Sequence, residues 1–144
     1  MGVKLGMNCV SYYGVAGAQA SNEMPNLKNV TLGLSKSEAD VTTRGNAGWR
    51  AMVGTLKEGS IEFEMVWDPD EGGFAAIKDA WFNNTAIALL ILDGPVGTPG
   101  SEGLDADFSV IEFNRTENLE EAVMATVTVK PTYSTRAPEW VVIT

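Results

Sequence analysis

Apolar and polar side chains alternate along much of the chain, a pattern typical of β-strands with one buried face. The alternation runs over residues 27–34, 49–56 and 60–68, with a tight turn predicted at 57–60, and returns over 104–113 and 123–130. Residues 86–92 are continuously apolar, which predicts a strand covered on both faces, and residues 140–143 predict a short final strand. A change of phase near Ile111 indicates a β-bulge.

The segment 60–68 shows the clearest alternation. Ile61, Phe63 and Met65 fall on one face, whereas Glu62 and Glu64 fall on the other. We therefore expect one face of this strand in the core and the other in water or in a wet cavity.

One helix is predicted over about residues 70–83. Asp68 offers an N-cap that is followed by a proline and, three residues later, by Glu71. Phe74, Ile77 and Trp81 then form one apolar stripe, and Asn83–Asn84 is the predicted end.

These elements predict a mainly β fold, an antiparallel β-sandwich or barrel with one flanking α-helix. The polar residues 1–26 are expected to form an extended arm that orders against a partner, and residues 27–144 the domain itself. Within that domain, 35–48 is predicted to be a long loop or a projecting hairpin, and 93–103 a flexible connection.

Charge and composition exclude several kinds of function. The chain of 144 residues has 19 acidic and 10 basic residues and no histidine, a formal net charge of −9. This balance argues against attraction to DNA or to an anionic membrane. The absence of histidine removes the commonest general base and metal ligand. Cys9 is the single cysteine and cannot form an internal disulfide. No apolar run reaches the ~18 residues of a membrane helix, and the N-terminal residues lack the apolar stretch of a signal peptide. We therefore expect folding in a cytoplasm.

No constellation predicts a catalytic, cofactor or metal site. Glu62 and Glu64 could serve acid–base hydrolysis, but a solvated strand face explains them better. Asp68, Asp70 and Glu71 do not have EF-hand spacing, and a helix cap accounts for them. The glycine-rich segment 94–103 has no phosphate-loop signature.

Assembly is a better explanation of the chain. A β-domain with an arm, a long loop and strand edges that need pairing is suited to self-association, which closes into a ring if the rotation allows it.

Several segments resemble those of tail tube proteins of long-tailed, siphovirus-like bacteriophages. They are EADVTTR at residues 38–44, GWR at 48–50, LKEGSIEFE at 56–64, the acidic turn and helix at 68–81, VTVKPT at 127–132 and PEW at 138–140. The resemblance covers about residues 27–140 and depends on the order of the elements rather than on one diagnostic motif.

The resemblance implies a virion structural protein that forms hexameric rings, stacked into a hollow tube through which DNA passes without specific binding. Its implied partners are further copies of the chain and the tape measure, tail terminator and distal tail proteins, with assembly in the bacterial host cytoplasm. The candidate lumen-lining residues are Glu62, Glu64, Asp105 and Asp107. The candidate contacts between subunits or rings are Glu38, Asp40 and Arg44 in the long loop, Arg50 just after it, and Tyr12 and Tyr13 in the arm. Two alternatives remain open, namely the inner tube of a contractile injection particle and a monomeric β-sandwich binding module.

Overall fold

An eight-stranded antiparallel sheet and one α-helix form the fold in a computed structural model, which describes residues 3–132 and 134–144. In chain order the elements are β1 (Val10–Val15), β2 (Asn22–Glu23), β3 (Leu27–Asp40), β4 (Met52–Val66), α1 (Gly72–Asn83), β5 (Ala86–Leu92), β6 (Glu102–Thr116), β7 (Met124–Pro131) and β8 (Glu139–Val142). Short 3₁₀ turns occur at Gly6–Asn8 and Arg44–Asn46. The predicted mainly β architecture with a flanking helix is confirmed.

The long strand β6 connects the two halves of the sheet, whose order is β2-β1-β5-β6-β7-β4-β3. Its first half pairs with β5 on one side and with β8 on the other, and its second half pairs with β7. The register shifts between Val110 and Glu112, at the predicted bulge. A bulge bends a strand and increases its twist, which lets one strand belong to two sheet halves that face each other.

The main core lies between these two halves and α1. The alternating residues predicted to face inward are buried there on β4 (Ile61, Phe63, Met65), on β7 (Ala125, Val127, Val129) and on β6 (Leu104, Ala106, Phe108). Phe74 and Ile77 from α1 complete this core, and the Phe74 ring packs edge-on against Trp67 with centroids 4.6 Å apart.

Strand β5 is buried on both faces, as its continuous apolar run predicts. Leu89 faces the main core, whereas Leu90 belongs to a second cluster with Tyr12. This second cluster forms because β1 pairs with β5 along its whole length. Residues 10–15 are therefore a strand of this sheet rather than part of an arm that orders against a partner.

Helix α1 begins later than predicted, because Glu71 and not Asp68 is the N-cap, its carboxylate accepting a hydrogen bond from the Gly73 amide. The glycines at its start allow close packing. A Cβ at Gly73 would lie 2.7 Å from Cγ of Met24 and 3.3 Å from the Tyr13 ring. The helix ends at Asn83, and Asn84 takes the left-handed conformation of a C-cap (φ 53°).

The predicted turn at residues 57–60 does not exist, since β4 continues through it. Lys57 pairs with Lys36, and Gly59 pairs with Leu34, so the neighbouring strand β3 supplies hydrogen-bonding partners throughout. The predicted loop 35–48 correspondingly becomes the end of β3 and the tip of a hairpin, the second of its two predicted forms.

The connection between β5 and β6 is tied down by several hydrogen bonds. The Tyr12 hydroxyl accepts from the Val96 amide at 2.9 Å, and the Ile143 carbonyl accepts from the Gly100 amide at 2.7 Å. Strand β6 begins at Glu102, inside the range predicted as a flexible connection.

Among the described residues, none of the helical segments has the length and apolar character needed to cross a membrane.

Candidate assembly surfaces

A polar face covers the outer side of the four neighbouring strands β3, β4, β7 and the second half of β6. On β4 it carries Glu58, Ser60, Glu62 and Glu64, whose cross-strand partners on β3 and β7 include Thr31, Thr126 and Thr128. On β6 it carries Glu112 and Asn114, which pair with Thr128 and Thr126. Residues directly opposite each other in a sheet point to the same face, so these side chains form one continuous surface.

The polar face is acidic, with four glutamates against Lys130 at its end. Glu62 is exposed, and Glu64 is half-buried with its carboxylate accepting a hydrogen bond from Asn29 Nδ2 at 3.2 Å. The structure thus brings these two predicted lumen residues together on an open face. That face is a sheet surface and not a cleft, which fits poorly with acid–base catalysis.

This four-stranded unit has two open edges within the described residues. One edge is β3, which pairs only with β4. The other is the second half of β6, where residues 111–116 pair only with β7. Unpaired backbone amides and carbonyls along a strand are a template for pairing with another chain.

The ends of β3 and β4 project from the sheet as a hairpin, defined here as residues 34–59. Pairing of β4 with β7 begins only at Ile61, so in the described structure residues 52–60 have β3 as their sole partner. An isolated two-stranded hairpin is marginally stable in water. Its large apolar side chains are nevertheless exposed: Leu34, Val41, Trp49 (77%), Met52, Val53 and Leu56 (77%).

The hairpin tip is ordered by its own hydrogen bonds. Thr42 Oγ1 accepts from the Ala51 amide at 2.9 Å, and Thr43 caps the 3₁₀ turn at Arg44–Asn46. Asp40 accepts from the Thr42 amide at 2.9 Å, and its hydrogen bonds from Thr42 hold the pKa of this carboxyl below its usual range.

The four contact residues predicted in and just after the long loop are all exposed and lie on this hairpin. Arg50 lies 4.0 Å from Asp40 of its own chain, and both side chains are more than half exposed, so this pair contributes little to the fold. Arg44 lies in the 3₁₀ turn, and Glu38 pairs with Gly54 across the hairpin. All four therefore remain available to a neighbouring molecule.

Asp105 and Asp107 do not line an exposed surface, contrary to the prediction. They are 3% and 1% exposed, and both contact the guanidinium of Arg136 from the C-terminal segment. Arg136 donates from Nη1 to Asp105 at 2.7 Å and from Nε to Asp107 at 3.0 Å. Alternation places them on the opposite face from Phe108, but the C-terminal segment covers that face.

Asp107 also binds a second residue of the C-terminal segment and one residue of the N-terminal segment. It accepts hydrogen bonds from the Ser134 hydroxyl and, at 2.9 Å, from the Gly17 amide. Burial alone would raise the pKa of Asp107, but the hydrogen bonds from Ser134, Arg136 and Gly17 and the charge of Arg136 together hold it below its usual range. Burial would likewise lower the pKa of Arg136, and the two carboxylates raise it. The cluster is thus an internal clamp joining β6 to both terminal segments.

Tyr12 and Tyr13 are also internal rather than contact residues. Tyr12 is 6% exposed in the second cluster, and Tyr13 packs against the main core beside the start of α1. The weak periodicity of residues 1–26 gives no indication that these residues belong to a strand. The prediction of contact residues therefore misses their place in the sheet.

The acidic residues just before α1 are those whose spacing does not match a calcium-binding loop. Here Asp68 accepts from the Asp70 amide at 3.1 Å, and Glu71 caps the helix, so both carboxylates have local structural roles. Among the described residues, no group of three or more acidic or cysteine side chains is arranged to hold a metal ion.

A β-domain with an open polar face, two free strand edges and an exposed apolar hairpin is a structural building block. The family model described as phage tail tube protein matches residues 13–132, which is most of the chain. The chain therefore belongs to the phage tail tube protein family. It is a structural subunit of a phage tail tube, located in the virion tail and not an enzyme.

Solved structures share this fold at low sequence identity. The chain is similar to a subunit in the tail of an empty gene transfer agent particle, refined with C6 symmetry, with a TM-score of 0.75, 13% identity and coverage of 96% of this chain and 99% of that one. It is similar to the SPP1 tail tube protein, with a TM-score of 0.70, 13% identity and coverage of 99% and 77%. A chain of the anti-feeding prophage baseplate gives a TM-score of 0.62 at 5% identity, with coverage of 93% and 92%. Comparison with curated protein sequences finds no match.

Proposed function

We propose that this protein forms hexameric rings that stack into a hollow tube, with the polar face of β3, β4, β7 and β6 lining the lumen. The observation that carries this proposal is the combination of that acidic face with free strand edges on both of its sides. A surface that is mainly polar and flanked by open edges is suited to the inside of a closed barrel, and its apolar pair Val66 and Met124 lies at one end of the face.

Ring closure would pair the β3 edge of one subunit with the free β6 edge of the next. These are two different edges, so the contact is head-to-tail, and a head-to-tail contact closes into a ring when its rotation divides a full turn. Closure removes the open edges, which otherwise invite uncontrolled aggregation.

The acidic lumen would let DNA pass without holding it. Phosphate affinity comes from lysine and arginine side chains that displace counterions, and carboxylates repel phosphate instead. Glu62 and Glu64 are the central residues of this surface, and with Glu58 and Glu112 they outnumber Lys130.

Negative-stain electron microscopy of the concentrated protein, with light scattering of the same sample, tests assembly. Hollow tubes or six-fold rings support the proposal. A chain that stays monomeric, even when a preformed end of a tail tube is added as an initiator, contradicts it.

The lumen assignment is tested with assembled tubes and a labelled double-stranded DNA fragment. Glu62→Lys with Glu64→Lys should make tubes sediment together with DNA in a salt-dependent manner, whereas the parent leaves the DNA in solution. Glu23→Lys with Asp79→Lys is the matched control, because it makes the same charge change at exposed residues outside the polar face. Equal DNA binding by both variants would refute the assignment.

The hairpin is proposed to contact the next ring. Lys36 and Lys57 are direct partners, so replacing residues 37–56 by Asn-Gly joins them through a two-residue turn suited to a β-hairpin. The shortened protein should keep the subunit fold by circular dichroism but not form tubes. Normal tubes from it would exclude the hairpin as an essential contact.

The same geometry would serve in a non-contractile tail and in the inner tube of a contractile particle. The similarity to a baseplate chain of the anti-feeding prophage is the observation that favours the inner tube of a contractile particle as the second candidate. Tape measure, tail terminator and distal tail proteins are the further partners that we propose for the assembled tail.

A further inference from the structure

A groove of about 1080 Å³ lies between the base of the hairpin and β8. Its walls carry Leu34, Pro131, Pro138 and Trp140 as apolar groups, and Leu34 and Trp140 are each more than half exposed. Five charged residues line it, with a net charge of +1 in a chain whose net charge is −9. Lys36, Lys57 and Glu139 lie off the polar face, whereas Glu58 and Lys130 belong to the polar face where it borders the groove. The groove thus offers an apolar floor with a local excess of positive charge.

The turn between β6 and β7 has the complementary character. Leu119 at its tip is fully exposed, and Glu117, Glu120 and Glu121 surround it. The turn is fixed internally, because the Glu121 amide donates to the Asn118 carbonyl at 3.2 Å and Asn118 Nδ2 donates to the Glu121 carboxylate at 2.9 Å. An ordered segment that presents an apolar tip loses little conformational freedom on binding.

The turn and the groove lie at opposite ends of the same strand. Strand β7 begins at Met124, just after the turn, and ends at Pro131 in the wall of the groove. At about 3.3 Å per residue its eight residues separate the two by roughly 25 Å. The turn therefore does not reach the groove of its own subunit.

We infer that the 117–121 turn of each subunit docks in the groove of a subunit in the adjacent ring, with Leu119 against the apolar floor and the glutamates beside the lysines. This inference rests on the proposed stacking and specifies its contact. The hairpin projects from the same end as the groove, so one head-to-tail approach brings both into contact with the next subunit. A head-to-tail contact that does not close repeats along a filament.

Charge exchange tests the contact. Lys36→Glu with Lys57→Glu, and separately Glu117→Lys with Glu120→Lys, should each raise the protein concentration needed for tube formation by at least about tenfold, because like charges then meet. Glu121 is kept because its carboxylate holds the turn through Asn118. The variant that carries all four changes restores opposite charges and should assemble near the parent concentration. Circular dichroism confirms the fold of each variant. Normal assembly of either pair, or no recovery in the fourfold variant, would overturn the contact.

Disulfide trapping locates the contact between rings. In a Cys9→Ser background, Leu119→Cys with Leu34→Cys should give, after oxidation of assembled tubes, covalent ladders that continue beyond six subunits on a non-reducing gel. The control, Leu119→Cys with Val15→Cys, uses an exposed residue outside the groove and should give no ladder.

The outcomes separate this inference from the function on which it rests. Tubes that form without a ladder would refute the docking and leave the tube intact. A ladder that ends at six subunits would place the contact within a ring and equally refute it. Absence of tubes from the parent chain would instead contradict the proposed function.

Discussion

The clamp of Asp105, Asp107 and Arg136 should control the stability of the subunit. Asp107→Asn preserves the size of the side chain but removes its charge, which leaves Asp105 as the single carboxylate contacting Arg136. The Asp107 side chain is fully buried, and that of Arg136 is 18% exposed, so water compensates little for the loss.

The expected cost is about 3 kcal/mol at neutral pH. Removing one partner of a buried ion pair typically costs about 3–5 kcal/mol, and the remaining Asp105 contact at 2.7 Å favours the lower end of that range. Total stabilities of domains are typically about 5–15 kcal/mol, so the loss is a large fraction. The assay is urea unfolding at protein concentrations at which light scattering detects no assembly.

The pH dependence gives a second readout. Because its folded pKa is lowered, Asp107 stabilises the native state above the unfolded carboxyl value of about 3.9, and this contribution is lost as the pH falls through the folded pKa. The parent should therefore lose stability below about pH 4 more steeply than Asp107→Asn.

A matched control is Glu117→Gln, which breaks the ion pair with Arg115 at 3.0 Å, where both side chains are at least half exposed. It should leave the free energy of unfolding unchanged within error. An Asp107→Asn protein as stable as this control at pH 7 would refute the reasoning, because the clamp would then contribute no more than a surface pair.

Three further substitutions test the packing and the hairpin. Phe74→Ala removes a side chain that is 1% exposed and should cost about 3–5 kcal/mol in urea unfolding. Gly103→Ala should cost about 3 kcal/mol, because a Cβ there would overlap the Ile91 carbonyl oxygen in the neighbouring strand, and a loss below 1 kcal/mol would contradict that packing. Trp49→Ala should leave unfolding unchanged but raise the concentration for tube formation, and unaltered assembly would show that the hairpin tip is not buried between subunits.

Strands β4 and β7 were predictable because each has one buried face and one face in water. Phe63 and Val127 alternate with Glu62 and Thr128 in the sequence and on opposite faces of the sheet in the structure. Periodicity reports this difference directly. It also located α1 and the bulge near Ile111.

Periodicity failed where a distant segment covers the polar face of a strand. Asp105 and Asp107 alternate with apolar residues as Glu62 and Glu64 do, yet they are buried because Arg136 lies over them. The alternation has no information about a segment about thirty residues further along the chain. The charge of Arg136 near the C-terminus is the single sequence signal for this clamp, and its partner was not identifiable from spacing.

Local sequence signals also gave a wrong prediction where pairing with a distant strand determines the structure. Glycine at position 59 within LKEGS suggested a turn, but its neighbour Leu34 continues the ladder on β3. In the N-terminal segment, Tyr12 gave no periodic signal, and its burial follows from pairing with β5. Both outcomes depend on contacts between residues far apart in sequence.

The features that find no partner within the described subunit are the ones that the proposed assembly uses. Within the described residues, the hairpin with exposed Trp49 and Leu56, the fully exposed Leu119 and the two unpaired strand edges leave apolar or hydrogen-bonding groups in water in a single subunit. Apolar surface in water is unfavourable, so these features favour binding to other copies. They project from different sides, which permits lateral and axial contacts at once. Under the proposed assembly these features bind neighbouring copies, so their loss should impair assembly without impairing folding.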